Sequence, residues 1–504
     1  MESEMKGIKN KVEMLFYFGL LLLFGFLISL LSPLNPFSNV APDVDSSVFL
    51  YIGESMAKYG QLPYRDVFDH KGPLLYFINA MGIKINGAVG VWYIEFFLMV
   101  INLLLLYVIA KIITKNKLTA FVTAVLVTLP LVKYFEGGNL TEEYAMPFML
   151  VSLYFFVKYI FSSSDYLPKL HVLLIGASCG SVLLLRPNMI ALWISFCFII
   201  FVYFLIQRKF FNLIQSAVLF ILGNLLIIIP FAAYYYYHSA LDDLVNGYLV
   251  FNFGYTDSNG GIETLWNTML YFWDTSALIG ISFLFSIVGI VKKRDIKSLL
   301  LYGSSGLFLL TSLVLLSISG RVYFHYGMVL IPCFVIPIAL FIMLINDQIK
   351  GSYYIPKVVF NFALVVLLGI STIMLAKDKI IFVNTAPPDL VNEKVVSYIQ
   401  DHTQKDDRIT VVGNKVSYFL LSDRRSASKY LYQAPIADIS SQILHEYLQD
   451  IKTKKPKLII YPIPSYKGGY GEIVLEYLNT LVEQGEYRLN DKIVQNVLIY
   501  EKNS

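Results

Sequence analysis

Long apolar runs recur through the first three-quarters of the chain, at about residues 14–32, 91–113, 118–133, 144–161, 170–185 and 188–206. Five more follow at about 214–238, 274–291, 298–318, 326–345 and 358–376. A helix needs about 20 apolar residues to cross the hydrocarbon core, so the pattern predicts about eleven transmembrane helices. The longest polar interval is the first loop, about 33–90. Within it, residues 46–59 put Val48, Phe49, Ile52, Met56 and Ala57 at helical spacing, which predicts an amphipathic helix lying along the membrane surface. Gly72, Pro73 and the apolar residues 74–78 predict a second such helix, with 61–71 as a polar elbow between them. After residue 376 the period changes. Short β-like runs at 408–412, 458–462 and 494–500 alternate with helical patterns at 436–452 and 472–484, the signature of a small α/β domain. The predicted fold is therefore mainly α: a polytopic membrane domain over 1–376 and a soluble domain over 377–504.

Composition sharpens this division. Of 504 residues, 56% are hydrophobic and 15% charged, against about 25% charged in soluble proteins. The segment 377–504 holds 33 of the 76 charged side chains. Lys111, Lys115, Lys117, Lys169, Arg208, Lys209, Lys292, Lys293 and Lys297 fall in alternate turns, which by the positive-inside rule places the N-terminus in the cytoplasm. An odd number of spans then puts the C-terminal domain outside. The first run is followed by Pro33, Leu34, Asn35 and Pro36 and not by a small-residue cleavage pattern, so it reads as a retained span. A net charge of +4 leaves no electrostatic footprint for nucleic acid. Cys179, Cys197 and Cys333 sit in apolar segments and supply neither a disulfide framework nor a thiolate zinc site.

Four groups carry candidate chemistry, and all map to the expected outer face. Asp43 and Asp45 precede the first surface helix, where a carboxylate either caps the helix or works as a base; Glu54, Arg65, Asp66, Asp69, His70 and Lys71 crowd the same loop. Glu142 and Glu143 open the helix after the third run, with Thr141 as the alternative capping explanation. Arg186, before Pro187 and Asn188, needs an anionic partner at membrane depth, whether a lipid phosphate or a carboxylate. Arg321, Tyr323, His325 and Tyr326 either bind phosphate or metal or form an aromatic interfacial belt. Together, acids and fixed cations at one interfacial pocket suit transfer from a polyisoprenyl phosphate sugar. Lys71, Arg186, Arg321 and His325 would take the phosphate, and Asp45 would be the general base. Asp43, Glu54, Arg65, Asp69, His70, Tyr323 and Tyr326 complete the candidate substrate-binding set, and a divalent metal ion is allowed but sparsely supplied with ligands.

The order Pro42-Asp43-Val44-Asp45, then Phe49 to Glu54, then Pro63-Tyr64-Arg65-Asp66-Val67-Phe68-Asp69-His70-Lys71-Gly72-Pro73-Leu74-Leu75-Tyr76 resembles the first outer loop of membrane glycosyltransferases with the C-type (GT-C) fold. The protein O-mannosyltransferases and the lipid A aminoarabinose transferases belong there, with bacterial cell-envelope members carrying this form. The resemblance implies a dolichyl- or undecaprenyl-phosphate sugar donor, inversion at the anomeric carbon, and an outer-face acceptor: a cell-envelope glycan, lipid or protein. It implies that Asp45 is the catalytic carboxylate, that Lys71 contacts phosphate, that Glu142 or Glu143 is the second acid, and that Arg321, Tyr323, His325 and Tyr326 form the late outer-loop motif ahead of a span containing Pro332. Ser46, Ser47 and Val48 stand where the aminoarabinose transferases have their Glu and Arg. The expected setting is a bacterial plasma membrane. The rival classes are a lipid or solute transporter and a noncatalytic anchor for a ligand-binding outer domain.

Overall fold

The computed structural model describes residues 2–162, 164, 166–255, 262–293, 295–318, 320, 322–348, 354–387, 389–463 and 469–503. It is mostly helical, with one small sheet near the C-terminus. All eleven apolar runs are helical. Among the described residues, six helices have the length and composition to cross a membrane, or seven if the bent pair Ile262–Trp273 and Leu278–Lys292 counts as one. A count of eleven requires Thr141–Ile160, Lys169–Leu183, Ala191–Ile206 and Tyr354–Thr385 to cross as well.

The chain packs as two compact units. The first comprises residues 1–35, 92–234 and 256–382 and is built from apolar helices; the second comprises 36–91, 235–255 and 383–504. In the first unit, helix ends are tied by polar side chains: Trp92 Nε1 donates to the Ser29 carbonyl at 2.9 Å and Trp193 Nε1 to that of Ile175 at 3.1 Å. All three cysteines carry free thiols, two of them buried.

In the second unit, the five strands run β1 Arg408–Val411, β2 Arg425–Ser426, β3 Leu458–Pro462, β4 Tyr487–Val494 and β5 Val497–Lys502, in the spatial order β2-β1-β3-β5-β4. β2, β1 and β3 are parallel; β5 and β4 join as an antiparallel hairpin. The expected strand at 494–500 is corrected here. It straddles the hairpin turn, where Asn496 adopts φ 66°, so one apolar run belongs to two strands. The expected helix at 436–452 is likewise two pieces, Ile436–Ile439 and Ser441–Lys454, because Ser440 leaves helical geometry and its hydroxyl caps the Ile443 N–H.

The first loop also departs from expectation. Its first helix, Val44–Tyr59, buries more than one greasy face: Ser46 through Gly53 are all buried. Tyr51 stacks on Phe419 at 5.4 Å and its hydroxyl accepts the Ser426 N–H at 2.7 Å. A C-terminal segment more than 350 residues away thus covers the face that the sequence pattern assigns to lipid or water. The second expected helix is the start of an element at Pro73–Thr114, which breaks at Asn86 and Gly87. Nine residues of unbroken helix would separate Gly82 from Val91 by about 13.5 Å. Instead, a Cβ on Gly82 would meet the Val91 backbone at 2.7 Å, so the chain folds back and only glycine fits the crossing. Gly82→Ala should destabilise the protein by about 1–3 kcal/mol through overpacking against backbone, read as a lower unfolding temperature in detergent; unchanged melting would show that the crossing yields freely.

Candidate functional site

The candidate residues fall into two clusters, one in each unit. In the first unit, Thr141–Ile160 begins with Thr141, Glu142 and Glu143, all buried. Glu142 Oε1 accepts from Arg186 Nη1 at 2.5 Å, and its Oε2 accepts from Thr141 Oγ1 at 2.8 Å. The Arg186 guanidinium carbon lies 4.2 Å from the centre of the Tyr326 ring, a cation–π contact. The His325 ring stands edge-on to Tyr326 at 4.7 Å and stacks on Tyr323 at 5.5 Å. Glu136, which the sequence reading passed over, bonds to His325 Nδ1 at 2.5 Å. Burial raises the Glu136 carboxyl, but the bond and charge of His325 and the charge of Lys379 outweigh it and leave it below the usual carboxylate range. Three separated motifs therefore come together around alternating acids and cations. The partner Arg186 needed is a carboxylate. Arg321 lies outside the described residues.

Glu143 is not part of this pairing. Its carboxyl lies beside that of Glu95, which accepts from Ser32 Oγ at 2.9 Å and from the Asn139 N–H. Tyr144 OH donates to Asn139 Oδ1 at 2.8 Å, so Glu95 and Tyr144 together pin the turn through Gly138 and Asn139 that precedes Glu142. Glu95 had a legible signal, a lone acid inside a long apolar run. Glu136 had only its position at the end of one.

In the second unit, Asp43 takes the N-cap position of Val44–Tyr59 without making a side-chain cap bond. Among the described residues, the half-buried Asp45 carboxylate makes no hydrogen bond or ion pair. Glu54 pairs with Lys58, one helical turn on. Arg65 bonds Asp66 at 3.0 Å and the His238 carbonyl at 3.0 Å.

Asp69 is the buried hub of the elbow. Its carboxylate accepts from Tyr76 OH at 2.7 Å and Tyr432 OH at 2.6 Å and lies 3.3 Å from His70 Nδ1. Burial raises this carboxyl, but the His70 bond and charge, the Lys71 charge and the Tyr432 bond hold it well below the usual range. The Lys71 backbone is clamped by the Tyr64 and Tyr76 hydroxyls, and its ammonium reaches His70 Nε2 at 3.3 Å. Among the described residues Lys71 has no ion pair, a fixed cation with coordination to spare. Tyr432 carries no local sequence signal; only the folded chain brings it to Asp69. Among the described residues, no three His, Cys, Asp or Glu side chains are grouped to hold a metal ion, so the divalent ion allowed by the sequence has no donor set there.

Residues 6–353 match the family described as "Putative competence-induced protein Ccs4 N-terminal domain". The chain belongs to that family. No curated protein matches the sequence. Among solved structures, this Ccs4-family chain is similar to ArnT from Cupriavidus metallidurans bound to undecaprenyl phosphate. The TM-score is 0.64 at 13% identity, covering 97% of this chain and 98% of that one. It is also similar to the oligosaccharyltransferase AglB from Archaeoglobus fulgidus in complex with an inhibitory peptide and a dolichol-phosphate (TM-score 0.56, 13% identity, 97% and 74% covered). A third likeness is to the Archaeoglobus fulgidus oligosaccharyltransferase in complex with Zn and sulfate (TM-score 0.55, 16% identity, 88% and 68% covered). These likenesses show the fold: the GT-C fold that the first-loop resemblance implies.

Removing one member of a buried ion pair strands the other, at about 3–5 kcal/mol. Arg186→Leu and Glu142→Leu should each destabilise the protein on that scale, and the double variant by less than their sum; additive losses on denaturant unfolding in detergent would refute the coupling. For Asp69 the sign follows from its depressed folded pKa. Its stabilisation is complete above the unfolded value of about 3.9 and fades as pH falls through the lower folded value. The melting-temperature gap between wild type and Asp69→Asn should therefore be constant near neutrality and shrink below about pH 4; a gap independent of pH down to acid unfolding would contradict this.

Proposed function

We propose that the protein is an integral membrane glycosyltransferase that moves a sugar from a polyprenyl phosphate carrier to an acceptor outside the cytoplasm. The observation that carries this reading is the end-to-end likeness in fold to a structure holding undecaprenyl phosphate. The first-loop chemistry supports it: Lys71 has a clamped backbone and an ammonium without an ion pair, and Asp45 is a half-buried carboxylate without a bonded partner, both among the described residues. The acceptor is a cell-envelope glycan, lipid or protein. The protein sits in a bacterial plasma membrane with its N-terminus in the cytoplasm and its C-terminal domain outside.

In this mechanism an acceptor hydroxyl attacks the anomeric carbon as the carbon–oxygen bond to phosphate breaks, with inversion. The hydroxyl proton passes to the Asp45 carboxylate, a general base, and the bond's electrons leave with the polyprenyl phosphate. Negative charge grows on the departing phosphate, and a preorganised cation such as Lys71 stabilises it without having to reorient. Arg186, Arg321 and His325 are the further phosphate-binding candidates. Arg186 and His325 already hold Glu142 and Glu136, so a phosphate would compete with or join those carboxylates. Glu142 and Glu143 remain the candidates for the second acid.

Loss of the base should cost about two to four orders of magnitude in turnover. Envelope glycans and lipids from cells lacking the protein should miss one sugar substituent, restored by the wild type and not by Asp45→Asn expressed at equal level. Full restoration by that variant would remove Asp45 from the mechanism, and an unchanged sugar profile in the null strain would remove the transferase reading.

A further inference from the structure

We propose that a polar pocket within the second unit binds an anionic sugar group, the saccharide end of the acceptor; the acceptor assignment rests on the transferase reading above. The pocket has a volume of about 420 Å3 and is walled by the first-loop elbow on one side and by the start of β1, Lys429 and the helix Ser441–Lys454 on the other. That volume falls within the roughly 300–1,000 Å3 of small-molecule sites. Unlike most such sites, every lining side chain is polar or charged. A lipid tail would find no apolar side chain there, whereas a polyhydroxylated ring is served by many donors and acceptors set among the aliphatic stems of polar residues.

The walls are fixed before any ligand arrives. In the elbow, the Leu62 N–H donates to Asp66 Oδ2 at 2.8 Å and the Tyr64 N–H to the Val67 carbonyl at 2.7 Å. The Phe68 N–H then donates to the Lys429 carbonyl at 2.8 Å, stitching the elbow to the opposite wall. Two of the lining carboxylates are also locked. Glu446 accepts from Tyr430 OH at 2.6 Å and from Gln442 at 2.8 Å and pairs with Lys429 at 2.8 Å. Asp450 accepts from Ser428 Oγ at 2.8 Å and pairs with Lys454 at 2.8 Å. Burial raises the Glu446 carboxyl, but its bonds from Lys429, Tyr430 and Gln442 outweigh this and bring it down to about 2. It thus stays an ionised acceptor for sugar hydroxyls across the physiological range.

Charge decides which kind of sugar. Asp66, Glu446 and Asp450 are answered by Arg65, Lys429 and Lys454. Arg408 is the cation left over: among the described residues its guanidinium has a bond only to the Ser426 carbonyl, at 3.4 Å. Its remaining N–H donors suit a planar carboxylate or a phosphate oxygen pair. Gln61 and Gln449 add neutral donors and acceptors for hydroxyls.

The test is saturation-transfer NMR on the full-length protein in lipid nanodiscs, with glucuronate, glucose and acetate as probes. Glucuronate should bind, with glucose and acetate each much weaker. Arg408→Gln should weaken glucuronate roughly tenfold, the size of one hydrogen bond to a charged group, and Gln449→Ala should weaken both sugars. Glucose binding as well as glucuronate would overturn the anionic assignment, acetate binding as well would reduce the pocket to a bare anion site, and no glucuronate signal or no effect of Arg408→Gln would overturn the proposal outright. Binding that persists while the envelope sugars prove independent of this protein would sink the transferase reading alone, and the converse would sink only the pocket.

Discussion

A carboxylate sealed from water must find donors inside the protein, and Asp69 finds two phenols and an imidazole. An unanswered charge at that depth would cost several kcal/mol, so the elbow folds only where Tyr76 and Tyr432 can both reach it. Tyr76 comes from the helix that follows. Tyr432 comes from the C-terminal segment, which for this reason belongs to the same compact unit as the first loop. Lys71 inherits its position from this arrangement: its carbonyl and N–H are held by Tyr64 and Tyr76, the second of which also bonds Asp69, and its ammonium is left without an ion pair among the described residues.

The helical unit meets the same constraint with opposite charges. Glu142 and Arg186, and Glu136 and His325, answer each other, with the Tyr326 ring against both Arg186 and His325. Such pairs are poor sources of stability, because desolvation offsets most of the attraction. They do specify geometry, since each charge must meet its partner at hydrogen-bonding distance. Glu95 adds a third tie, holding the Gly138–Asn139 turn so that the helix carrying Glu142 starts in one place.

The acids and cations of the candidate site were largely legible because charged side chains are conspicuous among apolar runs. Glu142, Arg186 and His325 announce themselves in that way, and Asp45 and Lys71 by the motif order of the polar first loop. Their partners did not. Tyr432 is one tyrosine among 36, and nothing local distinguishes it. Glu136 reads as an ordinary residue at a helix end, and Glu95, which did stand out, was passed over inside a run counted only for its length. Val44–Tyr59 shows the same limit: helical periodicity reports that one face is greasy, not what covers the others.

What the sequence alone determined is what depends on local composition: the apolar helices, the change to an α/β pattern after residue 376, and the charged motifs of the first loop. Apolar length and side-chain period act over a few turns, so they survive without knowledge of the fold. Tertiary structure alone decided that the first loop and the C-terminal domain form one unit, that Gly82 and Val91 meet where a continuous helix would part them, and that a polar pocket lies between Arg65 and Arg408. Those outcomes rest on pairings between segments up to several hundred residues apart, and no periodicity encodes which buried donor will satisfy which buried acceptor.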